Sequence, residues 1–90
     1  MLARVPTAGL EPFAAYEARV LPLLVEHGGT LERRLRSADA RIELHLVSFS
    51  SDEAFIAYRD DRRRRKHGDL LERSGAVIQL FELYDIGPAD

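Results

Sequence analysis

Apolar residues recur at helical spacing in the first third of the chain and form one stripe. The stripe follows Pro12, which suits the first turn of a helix, and stops at Gly28, a natural left-handed cap. Pro22 interrupts the stripe without shifting its phase, so the pattern predicts one helix that bends there. The positions that form the stripe are Phe13, Tyr16, Val20, Leu23, Leu24 and His27.

The next two segments alternate apolar and polar residues, which is typical of half-buried strands. Thr30–Arg36 and Arg41–Phe49 are predicted as a hairpin joined at Ser37–Ala40. Pairing Arg36 with Arg41 gives one face rich in Leu and Ile. That apolar face carries Leu31, Leu35, Ile42, Leu44 and Leu46, with Arg33 among them. We expect it to pack against the helices and the polar face to stay uncovered.

The polar face of this hairpin pairs oppositely charged or complementary side chains in the same register. Glu32 lies opposite His45, and Arg34 lies opposite Glu43. Val47 and Phe49 lie on the same face, which is therefore mixed rather than fully polar.

The rest of the chain completes an alternating order of strands and helices. Leu2–Val5 and Ala76–Asp85 read as strands, and Ile86–Asp90 reads as a loose tail. Ser50 and Glu53 form a capping box before a helix at Ser51–Arg59, and a further helix is predicted at Arg62–Arg73. The phrase Phe-x-Ala-Tyr occurs at Phe13–Tyr16 and again at Phe55–Tyr58, once in each crossover segment.

This β-α-β-β-α-β order predicts an α+β, ferredoxin-like sandwich. Its four-stranded antiparallel sheet has both helical segments on one face, and residues 1–90 form a single domain. The second face has no element of the chain left to cover it. We therefore expect a homodimer in which the sheet faces of two copies meet.

Composition narrows the function classes only slightly. The chain of 90 residues has no cysteine, a net charge of −2 and 31% charged residues. These values predict no disulfide framework and no thiolate metal site, and they argue against general binding of nucleic acid. Without an apolar run of roughly 20 residues, we expect no membrane span and a cytoplasmic protein.

Several stretches resemble small proteins of the dimeric α/β-barrel superfamily, and in particular an uncharacterised family of short single-domain proteins related to the antibiotic-biosynthesis monooxygenases. The resemblance spans nearly the whole chain and is more specific for fold than for function. The first strand is shorter than usual, and Arg62 stands where such proteins often have proline. The matching stretches are Phe13–Glu17, Val20–Leu24, His27–Gly29, Leu31–Leu35, Glu43–Phe49 and Ala54–Tyr58.

The resemblance implies a dimer whose sheets face each other, with a pocket between the sheet and its surrounding helices and loops. It implies a protein that binds or transforms a small organic molecule without a metal or an organic cofactor. The alternative is a non-catalytic module that binds a ligand or another protein.

Seven side chains are candidates for a functional site. His45 could act as general acid or base with Glu32 orienting it, and Arg34 could hold a substrate carboxylate. The simpler interpretation is that the His45–Glu32 pair and the Arg34–Glu43 pair are both structural. The first would then be a polar cross-strand contact at the dimer interface. The further candidates for substrate binding are Glu43, His27, Tyr16 and Tyr58.

The sequence disfavours a metal site and an RNA-binding site. A metal site needs three or four convergent ligands, but His27, His45 and His67 each lack a second histidine nearby in sequence. RNA-recognition domains share this element order and stack bases on strand aromatics. The third strand offers only Phe49 for stacking, and Glu43 would repel phosphate.

Overall fold

The computed structural model describes residues 1–89. A three-residue 3-10 turn, Thr7–Gly9, precedes the first helix. The strands are β1 (Leu2–Arg4), β2 (Gly29–Arg36), β3 (Ile42–Phe49) and β4 (Val77–Gln79), and the helices are α1 (Leu10–Glu26), α2 (Asp52–Arg59), α3 (Arg62–Lys66) and α4 (Gly68–Ser74).

The four strands form one antiparallel sheet in the order β2-β3-β1-β4. This confirms an α+β domain with a four-stranded antiparallel sheet, and the arrangement is compatible with a ferredoxin-like fold. The two central strands are β3 and β1, so the residues of β3 that pair with β1 lie in the middle of the sheet.

The hairpin register differs from the predicted one. Arg36 lies opposite Glu43, and Arg34 lies opposite His45, so the pairing is shifted by two residues. A bulge between Leu31 and Arg33 then removes Glu32 from the regular ladder. The predicted pairs Glu32–His45 and Arg34–Glu43 are therefore wrong as cross-strand neighbours, although the two-residue shift keeps Arg34, Glu43 and His45 on one face.

The prediction of which hairpin face meets the helices is also wrong. Glu43 and His45 face α1, where Glu17 contacts His45. Leu35 and Ile42 lie on the uncovered face and remain 41% and 44% exposed. We call this surface the open face; it comprises Leu2, Leu35, Ile42, Leu44, Leu46 and Val77.

The apolar core lies between β1, α1 and the C-terminal part of the domain. Ala3, Val5 and Phe13 are its buried centre. Around them pack the partly buried residues Met1, Leu10, Leu71, Ala76 and Ile78. Ala3 is the β1 neighbour of Glu43, so the core is continuous with the surface that carries His45.

Several predicted element bounds change in the folded chain. Arg62–Arg73 is two short helices, separated at His67. The last strand covers only Val77–Gln79, and residues 80–89 have no regular secondary structure; Asp90, the end of the predicted loose tail, lies outside the described residues. The N-cap of α2 is Ser51, whose Oγ accepts from the Ala54 amide, rather than the predicted Ser50.

The end of α1 agrees with the sequence prediction. Helix α1 continues through Pro22 to Glu26, and Gly28 follows with a φ of 71°. Such a φ favours glycine, which has no Cβ to clash. No helix within residues 1–89 combines the length and the apolar character needed to cross a membrane.

Candidate functional site

Three ionisable side chains meet in the interior between α1 and the sheet. Glu17 comes from the apolar stripe of α1, one turn after Phe13. Glu43 and His45 are alternate residues of β3, so both point to the same side of the sheet. Their exposed fractions are 3%, 1% and 4%, respectively. We call them the Glu17–Glu43–His45 cluster.

The contacts within this cluster converge on one edge of each carboxylate. His45 Nε2 lies 3.2 Å from Glu43 Oε2 and 3.2 Å from Glu17 Oε2. Only the contact with Glu43 has hydrogen-bond geometry. Glu17 Oε2 is buried and has no hydrogen-bond partner among residues 1–89.

Two arginines contact the other edge of the carboxylates. Arg34 Nη2 lies 3.1 Å from Glu17 Oε1 and 3.3 Å from Glu43 Oε1. Arg36 donates to Glu43 Oε1 from Nη2 at 2.8 Å and from Nε at 3.2 Å. These pairs balance the two buried negative charges, which would otherwise be costly to remove from water.

The two carboxyl groups of the cluster differ in proton affinity. Burial raises the pKa of Glu43, its neighbour Glu17 raises it further, and Arg36 only partly opposes this. Burial would also raise the pKa of Glu17, but nearby His45, Glu43 and Arg34 outweigh burial and lower that pKa. The pKa values of the two carboxyl groups are therefore shifted in opposite directions.

A small pocket opens beside this cluster. Its volume is about 120 Å³, well below the roughly 300–1,000 Å³ of a pocket for a drug-sized ligand. His45 is not among its wall residues and contacts the pocket only through the two carboxylates. We call it the helix-side pocket; its walls are Leu10, Phe13, Ala14, Glu17, Arg36, Ala40 and Glu43.

A second, wider depression of about 340 Å³ lies near the ends of β1 and β4. Its charged walls are Arg4, Asp39 and Arg41, all of them exposed. No buried ionisable side chain lines it within the described chain. We therefore regard the smaller pocket as the better candidate site, because buried charge is retained at a cost and concentrates at functional sites.

The predicted site residue Glu32 lies apart from the cluster. Its carboxylate accepts from Ser48 Oγ at 2.7 Å. Ser48 alternates along β3 with Phe49, which faces α2, so Ser48 and the Glu32 carboxylate lie on the side of the open face. Glu32 therefore does not orient His45 in this structure.

The other three predicted residues, His27, Tyr16 and Tyr58, are linked by contacts with the Tyr58 ring and with Arg64. His27 Nε2 donates to Asp61 Oδ2 at 2.7 Å, and the His27 ring lies 6.2 Å from that of Tyr58. Tyr16 accepts from Arg64, whose guanidinium stacks 4.5 Å from the centre of the Tyr58 ring. Burial raises the pKa of Tyr58. These residues form a second group, distinct from the helix-side pocket.

The functional residue that sequence reasoning missed is Glu17. It lies four residues after Phe13 and three before Val20, inside the apolar stripe. A charged residue at such a position must be buried with a partner or be moved to the surface. That conflict is the sequence signal that could have identified it.

Comparison of the chain with protein-family models, with curated proteins and with solved structures finds no match.

Proposed function

We propose that this protein binds a small organic molecule in the helix-side pocket and acts as a homodimer of the dimeric α/β-barrel type. The observation that carries the proposal is the placement of two buried carboxylates, Glu17 and Glu43, in the wall of a pocket with apolar neighbours. Binding pockets combine a mostly apolar wall with a few fixed polar groups in this way.

The pocket limits the size of its ligand. A volume of about 120 Å³ equals roughly four water molecules at their share of liquid volume. Leu10, Phe13 and Ala14 provide apolar contact on one side. The ligand is thus a molecule of a few heavy atoms with one polar group directed at the carboxylates.

The polar wall favours a ligand that donates hydrogen bonds. Glu17 and Glu43 neutralise part of the positive charge of Arg34 and Arg36, which weakens the attraction of these arginines for a substrate carboxylate. The carboxylates of Glu17 and Glu43 in the pocket wall present hydrogen-bond acceptors. This favours an amine, an ammonium group or a hydroxyl over the anion that the sequence suggested for Arg34.

Any proton transfer to this ligand would use Glu17 or Glu43, because these side chains line the pocket and His45 does not. The catalytic roles of His45 and Glu32 stay predictions of the sequence. Their proposed cooperation loses its geometric basis, since Glu32 bonds to Ser48 on the other side of the sheet.

Filling the pocket tests this proposal. Ala14 is an exposed α1 residue in the pocket wall, and Ala14→Leu adds three carbons there in a good helix former. A library of small amines and alcohols is screened by NMR on the labelled wild-type protein in metal-free buffer. We expect ligands that shift the amides of Ala14 and Ala40, and at least a roughly tenfold weaker affinity in Ala14→Leu.

The matched control is Ala18→Leu, one turn further along α1 and outside the pocket wall. It should bind as the wild type does. The proposal is wrong if no small donor binds, or if both variants bind equally well.

A further inference from the structure

We propose that Glu17 Oε2, Glu43 Oε2 and His45 Nε2 form a site for one divalent first-row transition-metal ion. Each of the three residues offers one ligand atom, and these atoms lie within 4.8 Å of one another. This inference goes beyond the proposed organic ligand and contradicts the sequence expectation of no metal. The proposed metal site uses Glu17 and Glu43, which also line the helix-side pocket. Its test uses no organic molecule.

The spacing of the three atoms fits a metal ion at their centre. Ligands that each lie 2.0–2.2 Å from a metal are separated from one another by about 3–3.6 Å in tetrahedral or octahedral geometry. His45 Nε2 is 3.2 Å from both Oε2 atoms. One imidazole and two carboxylates are ligands that Zn²⁺ accepts.

Glu17 supplies the second, independent sign of a ligand. Its side chain is almost fully buried, and its Oε2 atom points into the cluster without a hydrogen-bond partner among the described residues. The Nε2 of an imidazole carries at most one proton, so His45 can donate to one of the two carboxylates but not to both. A single cation would satisfy all three atoms at once.

The two arginines leave this side of the carboxylates free. Arg34 and Arg36 contact only the Oε1 atoms, whereas His45 contacts the Oε2 atoms. An ion between the two Oε2 atoms and His45 Nε2 would therefore leave both arginines in contact with the Oε1 atoms.

Metal binding is measured on untagged protein that has been stripped with EDTA and returned to metal-free buffer. Titration with ZnCl₂ in a calorimeter should give one ion per chain, and Co²⁺ should produce visible absorption bands. In protein labelled with ¹⁵N at histidine, Zn²⁺ should shift the Nε2 signal of His45 and leave that of His67 unchanged. The histidine signal needs no variant and directly reports the proposed ligand.

Glu17→Gln and His45→Gln should each weaken Zn²⁺ binding by about tenfold or more, since even supporting residues of a metal site contribute that much. The matched controls are Glu32→Gln, an exposed carboxylate of β2, and His67→Gln. Circular dichroism confirms that each variant is folded. The proposal is overturned if the wild type binds no ion, or if binding survives in both cluster variants.

A charge variant tests the position of the ion. Arg34 Nη2 lies within 3.3 Å of both carboxylates, and its positive charge opposes a cation at this point. Arg34→Gln should therefore tighten Zn²⁺ binding several-fold, whereas Arg33→Gln, the adjacent position in β2, should not change it. Weaker binding in Arg34→Gln would place the ion elsewhere. Loss of metal binding alone would leave the organic ligand of the pocket in place.

Discussion

Near the end of α1, the carboxylate of Asp61 contacts both a histidine and an arginine. Its carboxylate accepts from His27 Nε2 at 2.7 Å and from the Arg63 guanidinium at 2.9 Å. It also caps α3 by accepting from the Arg63 amide. The Arg63 and His27 hydrogen bonds hold the pKa of Asp61 far below its usual range. Asp61 thus ties the C-terminal end of α1 to the start of α3.

Asp61→Asn should destabilise the protein at neutral pH while retaining a side chain that can cap α3. A carboxyl group whose pKa is lowered by folding contributes stability above its unfolded pKa of about 3.9. That contribution to stability is lost as the pH falls through the pKa that the carboxyl group has in the folded protein. The melting temperatures of variant and wild type should therefore differ at pH 7 and converge as the pH falls below about 4.

Asp69→Asn is the control for this comparison. Asp69 is exposed and only 4.0 Å from Arg73, so its removal should leave the melting temperature nearly unchanged at both pH values. A constant difference between Asp61→Asn and wild type from pH 7 to pH 3 would contradict the assignment.

The turn Thr7–Gly9, which precedes α1, meets the end of α4 at two small residues. A Cβ built on Gly9 would overlap the carbonyl oxygen of Ser74, so only glycine fits there. Ser74 is itself buried, and its hydroxyl bonds to the Leu71 carbonyl and the Ala76 amide. These bonds fix the local conformation of the chain around the Ser74 carbonyl.

Gly9→Ala should therefore lower the free energy of unfolding by about 2 kcal/mol, the middle of the range for overpacked sites. Urea denaturation followed by circular dichroism measures it. Gly68→Ala is the matched control, because nothing lies within 4 Å of a Cβ at Gly68 and alanine is the better helix former. Equal stability of the two variants would show that α4 can retreat from the turn Thr7–Gly9.

The whole molecule is thin in one direction. Its extents are 41, 34 and 17 Å, which fits one layer of helices on one sheet. Within residues 1–89, no third layer covers the open face, and the apolar residues Leu80, Phe81, Leu83 and Tyr84 after β4 are also exposed. This exposed apolar surface supports the proposed homodimer, because a second copy related by a two-fold axis is the simplest partner for it.

Ile42→Lys places a charge on the open face and should abolish the proposed dimer. Light scattering coupled to gel filtration should give twice the chain mass of 10.2 kDa for wild type and the single mass for the variant. Val25→Lys is the control, because Val25 is an exposed apolar residue of α1, outside the open face. Wild-type protein that elutes as a monomer at micromolar concentration would refute the dimer.

The sequence predicted local structure well where a regular apolar spacing or a glycine has one physical cause. The stripe of α1, its end before Gly28 and the two long strands follow from spacing and from backbone freedom. It predicted the last strand badly. Leu80–Asp85 has the composition of a strand, but β1 begins at Leu2, opposite Gln79, and offers these residues no partner within the described chain.

The site was predictable only in part. Arg34, Glu43 and His45 were singled out because alternation places them on one face, and they do lie together. Glu17 was missed because it is distant in sequence and reaches the cluster only when α1 packs on the sheet. Glu32 was misplaced because a bulge cannot be read from alternation alone.

The sequence by itself determined that the hairpin has one apolar and one charged face, since alternation fixes which residues share a side. Only the tertiary structure decided which face the helices cover. Glu17 in the stripe of α1 requires polar partners, and Arg34 and His45 supply them on the charged face, while Ile42 and its apolar neighbour Leu35 stay exposed. Burial depends on how the helix layer packs on the sheet. The alternation of residues along a strand specifies which side chains share a face, but it does not specify which element covers that face.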